Sequence, residues 1–395
     1  MTAIKTLLLA TVVCLVQGCL APRPSQYPCG GNQTITTALK PVAKKHGVPA
    51  LGGAVITDSG EIWVGVVGTR SVRGGESVTV EDLWHVGSCG KAMTATLAAR
   101  LVEQGKLNWS TTVAEMFPEL APAFKSDLGK VTLTQLLAHR SGLPRDTGYG
   151  RYREPHRNQA YSGIACAFGS VSEQRRQAVQ AAGDHPLLFP PGSNYTYSNY
   201  GYIIVAAMID RVTGGSYEEA MRQQLFLPLG MNSAVFESAD LVGTDHVPWG
   251  HDRRGRVAGT DMVRLANPEL LRPAGCIRCT LKDWAKFALQ HLRGEAGRSD
   301  YLSAETYRKL HTPPQGDEPP RYALGWSVED GKWAGGRFLT HSGSDLLNFT
   351  RIYILPEKGY AVLVCSNQNS GKATEEAAVV LIEMFSRGDL AEKTQ

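Results

Sequence analysis

The chain has 395 residues, of which 43% are apolar and 20% charged, and its formal net charge is +4. Those proportions describe a globular protein with room for a large core. The small charge, its signs interspersed, argues against nucleic acid as a partner, and no internal repeat or low-complexity tract stands out.

The first residues form a separate segment. Met1 to Lys5 is weakly basic, and Leu7 to Val16 is an apolar run of ten residues, half of the ~20 that a bilayer requires. This is the layout of a secretory signal, to be left out of the fold. The ending LVQGC resembles a bacterial lipobox, in which Cys19 becomes the lipidated first residue of an exported, envelope-anchored protein. Plain secretion after cleavage is the alternative. On this reading residues 1–18 are the signal, 19–34 a linker and 35–387 the folded domain.

Within the domain, Ile35 to His46 places Ile35, Leu39, Val42 and Ala43 on one helical face. Leu51–Thr57 and Ile62–Val67 are β-rich runs joined by Asp58-Ser59-Gly60, a hairpin signal. Lys91 to Gln104 has helical spacing, with Gly105 as its stop. From there to about residue 300 helical patterns alternate with Gly/Pro loops: VTLTQLLAHRSGLP, GYIIVAAMIDRVTGG, YEEAMRQQLF and LKDWAKFALQHL. Strand patterns return at Tyr322–Val328, Arg337–Thr340, Phe349–Ile354 and Tyr360–Cys365, followed by a helix from Thr374 to Phe385. The expected class is α+β: an antiparallel sheet built from both ends of the chain (35–87 and 315–387), flanked by helices, with a mostly helical insertion at 88–314. A cleft is expected where the two parts meet.

Three short stretches carry residues suited to chemistry. In VGSCGKAM (86–93), Ser88 and Lys91 are three apart at the mouth of a helix, one turn apart on one face. A serine needs a partner to take its proton, and a crowded lysine amine can do so. Ser88 would also sit where helix N–H groups favour developing negative charge. Cys89 points about 100° away and reads as packing. The spacing alone is expected about once by chance in such a chain. In FPPGSNYTYSNYGY (189–202), Tyr197-Ser198-Asn199 leaves a Pro/Gly turn into a helix. A phenol beside an ammonium group is a candidate general base, and the Asn199 amide can bond a substrate carbonyl and Lys91 together. In LTHSGSD, His341-Ser342-Gly343 ends a strand, where glycine permits close backbone approach and the Ser344 N–H can join that of Ser88 around an oxyanion. Each stretch alone also has a purely structural reading. Of the eight cysteines, Cys276 and Cys279 have CxxC spacing without a companion motif, so a local disulfide or two buried thiols fit better than a metal.

Taken in order, these motifs resemble those of the penicillin-recognising serine hydrolases, in the branch of class C β-lactamases, D-alanyl-D-alanine carboxypeptidases and related esterases. That family carries Ser-x-x-Lys, Tyr-x-Asn and Lys- or His-x-Gly; here they are Ser88/Lys91, Tyr197/Asn199 and His341/Gly343. The likeness runs over about residues 36 to 386, through VTLTQLLAHRSGLP, the PPG turn, LFLPLGM and PAGCIRCTLKDWAKF. It implies a β-lactamase/transpeptidase-like fold and an acyl-enzyme on Ser88, with Lys91 and Tyr197 moving its proton. Asn199, His341, Gly343 and Ser344 would line the substrate and oxyanion sites, and no metal or organic cofactor is called for. The implied partner is a small-molecule or peptide substrate, possible sources including peptidoglycan, with a membrane surface added if Cys19 is lipidated. Where β-lactamases of this branch show Lys-Thr-Gly, the chain has His-Ser-Gly, a variant nearer to the carboxypeptidases and esterases. The alternative reading is a binding or scaffold lipoprotein of the same fold that has lost turnover.

Overall fold

Asn32 starts the first helix by accepting a hydrogen bond from the Ile35 N–H at 3.0 Å, and Gly47 ends it in the left-handed conformation. This helix, α1 (Gln33–His46), buries the expected stripe of Ile35, Leu39, Val42 and Ala43. The computed structural model describes residues 29–146, 169–238, 241, 244–257, 269–315 and 319–389. Residues 1–18, expected to be a signal, and Cys19 lie outside the described residues.

The principal sheet has eight antiparallel strands: β1 (Cys29–Gly31), β2 (Ala50–Thr57), β3 (Ile62–Ser71), β4 (Gly74–Ser77), and, from the far end of the chain, Ser327–Gly331, Gly336–Ser344, Phe349–Leu355 and Tyr360–Ser366. A second, three-stranded sheet contains β5 (Trp84–His85), β6 (Val235–Phe236) and β7 (Ile277–Cys279), so the late strands of the principal sheet are β8 to β11. The order is β1-β3-β2-β11-β10-β9-β8, with β4 paired to β3. The first and last parts of the chain therefore meet along β2 and β11, where Leu51 pairs with Ser366 and Thr57 with Tyr360. This is the α+β arrangement expected, an antiparallel sheet from both ends with a helical insertion.

The sheet is covered on both faces, which explains the unbroken apolar run YAVLVCS in β11. Side chains alternate along a strand, so Val362 and Val364 join Leu39 and Leu381 under α1 and the last helix, while Leu363 and Cys365 join Trp84 and Leu281 on the opposite side. At the middle of β2, Gly52 and Gly53 let helices approach closely on both faces. A Cβ on Gly52 would come 2.8 Å from Leu281 Cδ1 and 3.0 Å from the Trp84 ring; one on Gly53 would come 2.7 Å from Leu381 Cδ1.

Three boundaries differ from expectation. Residues 29–31 of the expected linker are a strand paired with β3, because Cys29–Gly31 complete its edge opposite Gly65–Val67. The helix Leu281–Gly294, placed by its position in the insertion, packs through Leu281 and Trp284 into the core beneath the sheet, so it belongs to the sheet layer. Tyr322 makes only an isolated bridge to Ser327, and the strand there runs Ser327–Gly331. Cys276 and Cys279 are buried free thiols, with no disulfide between them.

The helical insertion is organised by Asn199–Thr213, whose residues Tyr200 to Ile209 are all buried. A helix apolar on every side can only be central. We expect Gly52→Val to destabilise the protein by ~1–3 kcal/mol through overpacking, read as a lower urea midpoint with an unchanged slope. A midpoint equal to wild type would show that Leu281 and Trp84 can withdraw.

Candidate active site

Ser88 occupies a short 3-10 turn, Gly87–Cys89, that leads into the helix α2 (Gly90–Glu103). It therefore precedes the α-helix rather than lying in its first turn. Its relation to Lys91 survives the tighter winding: Lys91 Nζ is 3.3 Å from Ser88 Oγ. α2 is buried on nearly all sides, and Lys91 is fully buried with it. Its amine bonds two further oxygens, Asn199 Oδ1 at 2.7 Å and the Ala274 carbonyl at 2.6 Å. Burial pushes the Lys91 pKa down to about 7, against the opposing pull of the Asp146 carboxylate.

That geometry determines what the amine can do. Asn199 Nδ2 donates to Asp146 Oδ1 at 2.6 Å, so its Oδ1 must be the atom facing Lys91. Asn199 Oδ1 and Ala274 O are acceptors only. A neutral amine has two N–H donors and one lone pair. Protonated, the amine has three donors for the oxygens of Ser88, Asn199 and Ala274; neutral, it gives its two donors to Asn199 and Ala274, and its lone pair can turn to Ser88 Oγ. The Asn199 amide, expected to divide itself between Lys91 and a substrate carbonyl, is instead fully engaged by Lys91 and Asp146.

Tyr197 lies in the segment before α6, the central helix Asn199–Thr213. Ser198 caps that helix through the Gly201 N–H and donates to Pro144 O at 2.6 Å. Lys91 Nζ sits 4.8 Å from the Tyr197 ring centroid, and Ser88 and Tyr197 line one cleft. The phenol was expected to be pulled toward working pH by neighbouring ammonium charge. It is not: desolvation among the surrounding rings holds its pKa well above the ordinary value of 10, and the Ser88 hydroxyl only partly offsets this.

His341, Ser342, Gly343 and Ser344 form the end of β9 (Gly336–Ser344). β9 is the penultimate strand, but β8 pairs only with Gly336–Thr340, leaving His341–Ser344 unpaired on the side of the cleft. Two glycines let this strand meet the Ser88 turn backbone to backbone. A Cβ on Gly87 would come 2.5 Å from Ser344 N, and one on Gly343 would come 2.8 Å from Ser88 N and overlap Val86 O. The amides of Ser88 and Ser344 thus lie on either side of one glycine contact.

His341 Nδ1 bonds the Ser342 carbonyl at 2.7 Å, so that nitrogen carries the proton and Nε2 accepts from the Tyr322 hydroxyl at 2.9 Å. Burial and the nearby Lys91 push its pKa down to about 4. The imidazole is a neutral wall of the cleft. Cys89 bonds toward the His341 carbonyl and Thr350, and burial raises its thiol pKa to about 12. It is packing, as its helical angle suggested.

Two histidines that the motifs did not single out support the site. His139, at φ +60°, holds the chain before α6 twice: its carbonyl accepts from Thr196 N at 2.9 Å and its Nδ1 from Ser198 N at 3.0 Å. Its buried, neutral ring packs 4.3 Å from that of Tyr197. The only hint in the sequence was the histidine in LLAHRSGLP, placed at the end of a helix. His85 Nδ1 accepts from Gly87 N at 3.0 Å and lies with Glu237 and Asp345 in a buried trio whose ligating atoms fall within 4.8 Å of one another. These residues do not suit a metal. Arg278 already takes Glu237, the backbone of Leu347 and Asn348 takes Asp345, and the Gly87 N–H takes His85. The trio braces the turn that carries Ser88.

The family model described as Beta-lactamase matches residues 34–383. An unguisins hydrolase of Aspergillus campestris is 26% identical over 85% of this chain, which spans 61% of that protein's length. Penicillin-binding protein 4 of Amycolatopsis lactamdurans is 25% identical, with 88% of this chain and 87% of that protein covered. Among solved structures, the octameric penicillin-binding protein homologue of Pyrococcus abyssi superposes with a TM-score of 0.69 at 23% identity, over 89% of this chain and 77% of the other. The D-alanine carboxypeptidase AmpC of Burkholderia cenocepacia gives 0.68 at 20% identity, over 89% and 97%. At these identities the two structures establish the fold.

Replacing His139 by alanine removes the acceptor for a buried N–H, a loss of ~1–3 kcal/mol if borne by the positioning of Tyr197. We expect His139→Ala to slow acylation of the site by about 10- to 100-fold, whereas His139→Asn, which keeps an acceptor and tolerates positive φ, restores most of the rate. Equal rates for the alanine and asparagine variants would assign His139 to packing alone.

Proposed function

The chain belongs to the Beta-lactamase family, and from this we propose that it is a serine hydrolase acting through a covalent acyl-enzyme on an amide or ester. The observation that carries the reading is the placement of Lys91: a fully buried amine 3.3 Å from Ser88 Oγ, whose other two partners only accept, so that in its neutral form the lone pair can turn to Ser88.

In this mechanism Ser88 Oγ attacks the substrate carbonyl and Lys91 Nζ takes the hydroxyl proton. The bond between Oγ and the carbonyl carbon forms as negative charge moves to the carbonyl oxygen. The amides of Ser88 and Ser344, brought together by the Gly87–Gly343 contact, are suited to hold that charge. Tyr197 remains a neutral phenol and hands a proton between Lys91 and the leaving group, which departs as an amine or alcohol. Water, or an acceptor amine, then attacks the Ser88 ester with Lys91 again taking the proton. Asn199 and Asp146 keep Lys91 oriented throughout. The unpaired edge His341–Ser344 offers main-chain groups alongside Ser88, so an extended substrate can be held by backbone hydrogen bonds.

The substrate's identity belongs to the same proposal. An amide or ester of a small peptide agrees with the hydrolase and penicillin-binding names among the relatives. The neutral His341 distinguishes this cleft from one with a lysine at that position.

A fluorophosphonate or a penicillin probe tests the nucleophile. Wild type should gain the probe's mass on the peptide containing Ser88, and Ser88→Ala should not be labelled at all. Labelling that persists in a folded Ser88→Ala protein refutes the assignment.

A further inference from the structure

The cleft beside Ser88 has a volume of about 310 Å³, and its described lining contains one lysine or arginine and no aspartate or glutamate. The cation is Arg145. Lys91 lies behind Ser88 with its amine spent on three oxygens, and both nitrogens of His341 are occupied. Among the described residues the cleft's fixed charge therefore resides on Arg145.

Arg145 is held at its base, and its tip is open among the described residues. Its carbonyl accepts from Asn199 N at 2.7 Å, tying its main chain to the start of α6. Its guanidinium lies 5.4 Å over the Tyr197 ring, an orienting contact for a planar cation. Its nearest carboxylate is Asp146, whose Oδ2 is 3.6 Å from Nε while its Oδ1 is committed to Asn199. The two terminal nitrogens make no hydrogen bond to any described residue, and the side chain is 70% exposed. A guanidinium that presents its outer fork to a cleft has the donor geometry for a carboxylate, which it can take with two parallel bonds.

We infer that Arg145 is a specificity-determining residue that binds a carboxylate on the substrate, so that acyl compounds carrying a free carboxylate near the scissile bond are preferred over neutral ones. This rests on the acyl-transfer reading of Ser88. Carboxylate recognition is thereby moved off β9, where a neutral imidazole cannot supply it, onto the segment that leads to Tyr197.

The test uses two chromogenic esters that differ in charge alone, mono-p-nitrophenyl adipate and its methyl ester, with the full-length protein. The readout is the ratio of kcat/KM for the anionic to the neutral ester within each variant, which cancels any disturbance of Tyr197. Wild type should favour the adipate. Arg145→Ala should lower the ratio about 10-fold, mainly through KM, as expected for the loss of a charge-assisted bond. Arg145→Lys should keep part of the preference, and Arg145→Glu should reverse it. A ratio within about twofold of wild type in Arg145→Ala and Arg145→Glu, with Ser88-dependent turnover retained, overturns the role of Arg145 and leaves the hydrolase reading standing. Turnover that survives Ser88→Ala, or none with either ester, removes the hydrolase reading and this inference with it.

Discussion

The account depends on one buried amine. Lys91 has no exposed surface, and moving its pKa from the ordinary 10.5 to about 7 corresponds to a cost on the order of 5 kcal/mol in folding free energy at neutral pH. The sign follows from linkage: the unfolded chain binds the lysine proton more tightly, so the native state gives up stability as pH falls from 10.5 toward 7. A structure retains so costly a group where it has a use. Here the cost yields an amine about half neutral at pH 7 and already hydrogen-bonded to Ser88, as the proposed acyl transfer requires.

The surroundings of Lys91 come from distant parts of the chain, and the sheet makes their meeting possible. β2 and β11 join the two ends; β9 then runs beside the Ser88 turn, and the small sheet β5-β7-β6 ties that turn to the segment carrying Ala274. The glycines at 87 and 343 remove the side chains that would otherwise separate β9 from Ser88. His139 and the Ser198 cap fix the start of α6, so that Tyr197 and Asn199 reach Lys91 from the helical side. Every rigid element enters the site through its end, the usual way a fixed scaffold presents adaptable chemistry.

Much of this was readable in the residues. Apolar stripes and caps gave α1 and most helices; the alternation and the turn at Asp58-Ser59-Gly60 gave the β2–β3 hairpin. The ordered motifs picked out Ser88, Lys91, Tyr197, Asn199, His341 and Gly343, which the fold gathers around one cleft. What escaped was whatever depends on contacts across the fold. Three residues at 29–31 carry no strand pattern of their own and become a strand only through pairing with β3. The helix Leu281–Gly294 has an ordinary amphipathic face, and nothing local says that it packs against the sheet. The preference for the amine over the phenol as the proposed base rests on desolvation, which a sequence does not display. Nor does the sequence show that the His341 ring, expected to line the substrate site, is bonded to Tyr322 and the Ser342 carbonyl. Arg145 belongs to no motif, and the role proposed for it rests on its being the one lysine or arginine in the described cleft lining.

The central claim can be measured directly at the amine. Selective 13C labelling of the lysine side chains, with Lys91 assigned by Lys91→Arg, allows its Cε resonance to be followed from pH 5 to 11 in the resting protein. A midpoint near 7 is the predicted result. A midpoint near 10.5 would mean that Lys91 is a cation at working pH, with no lone pair for Ser88, and would contradict the account.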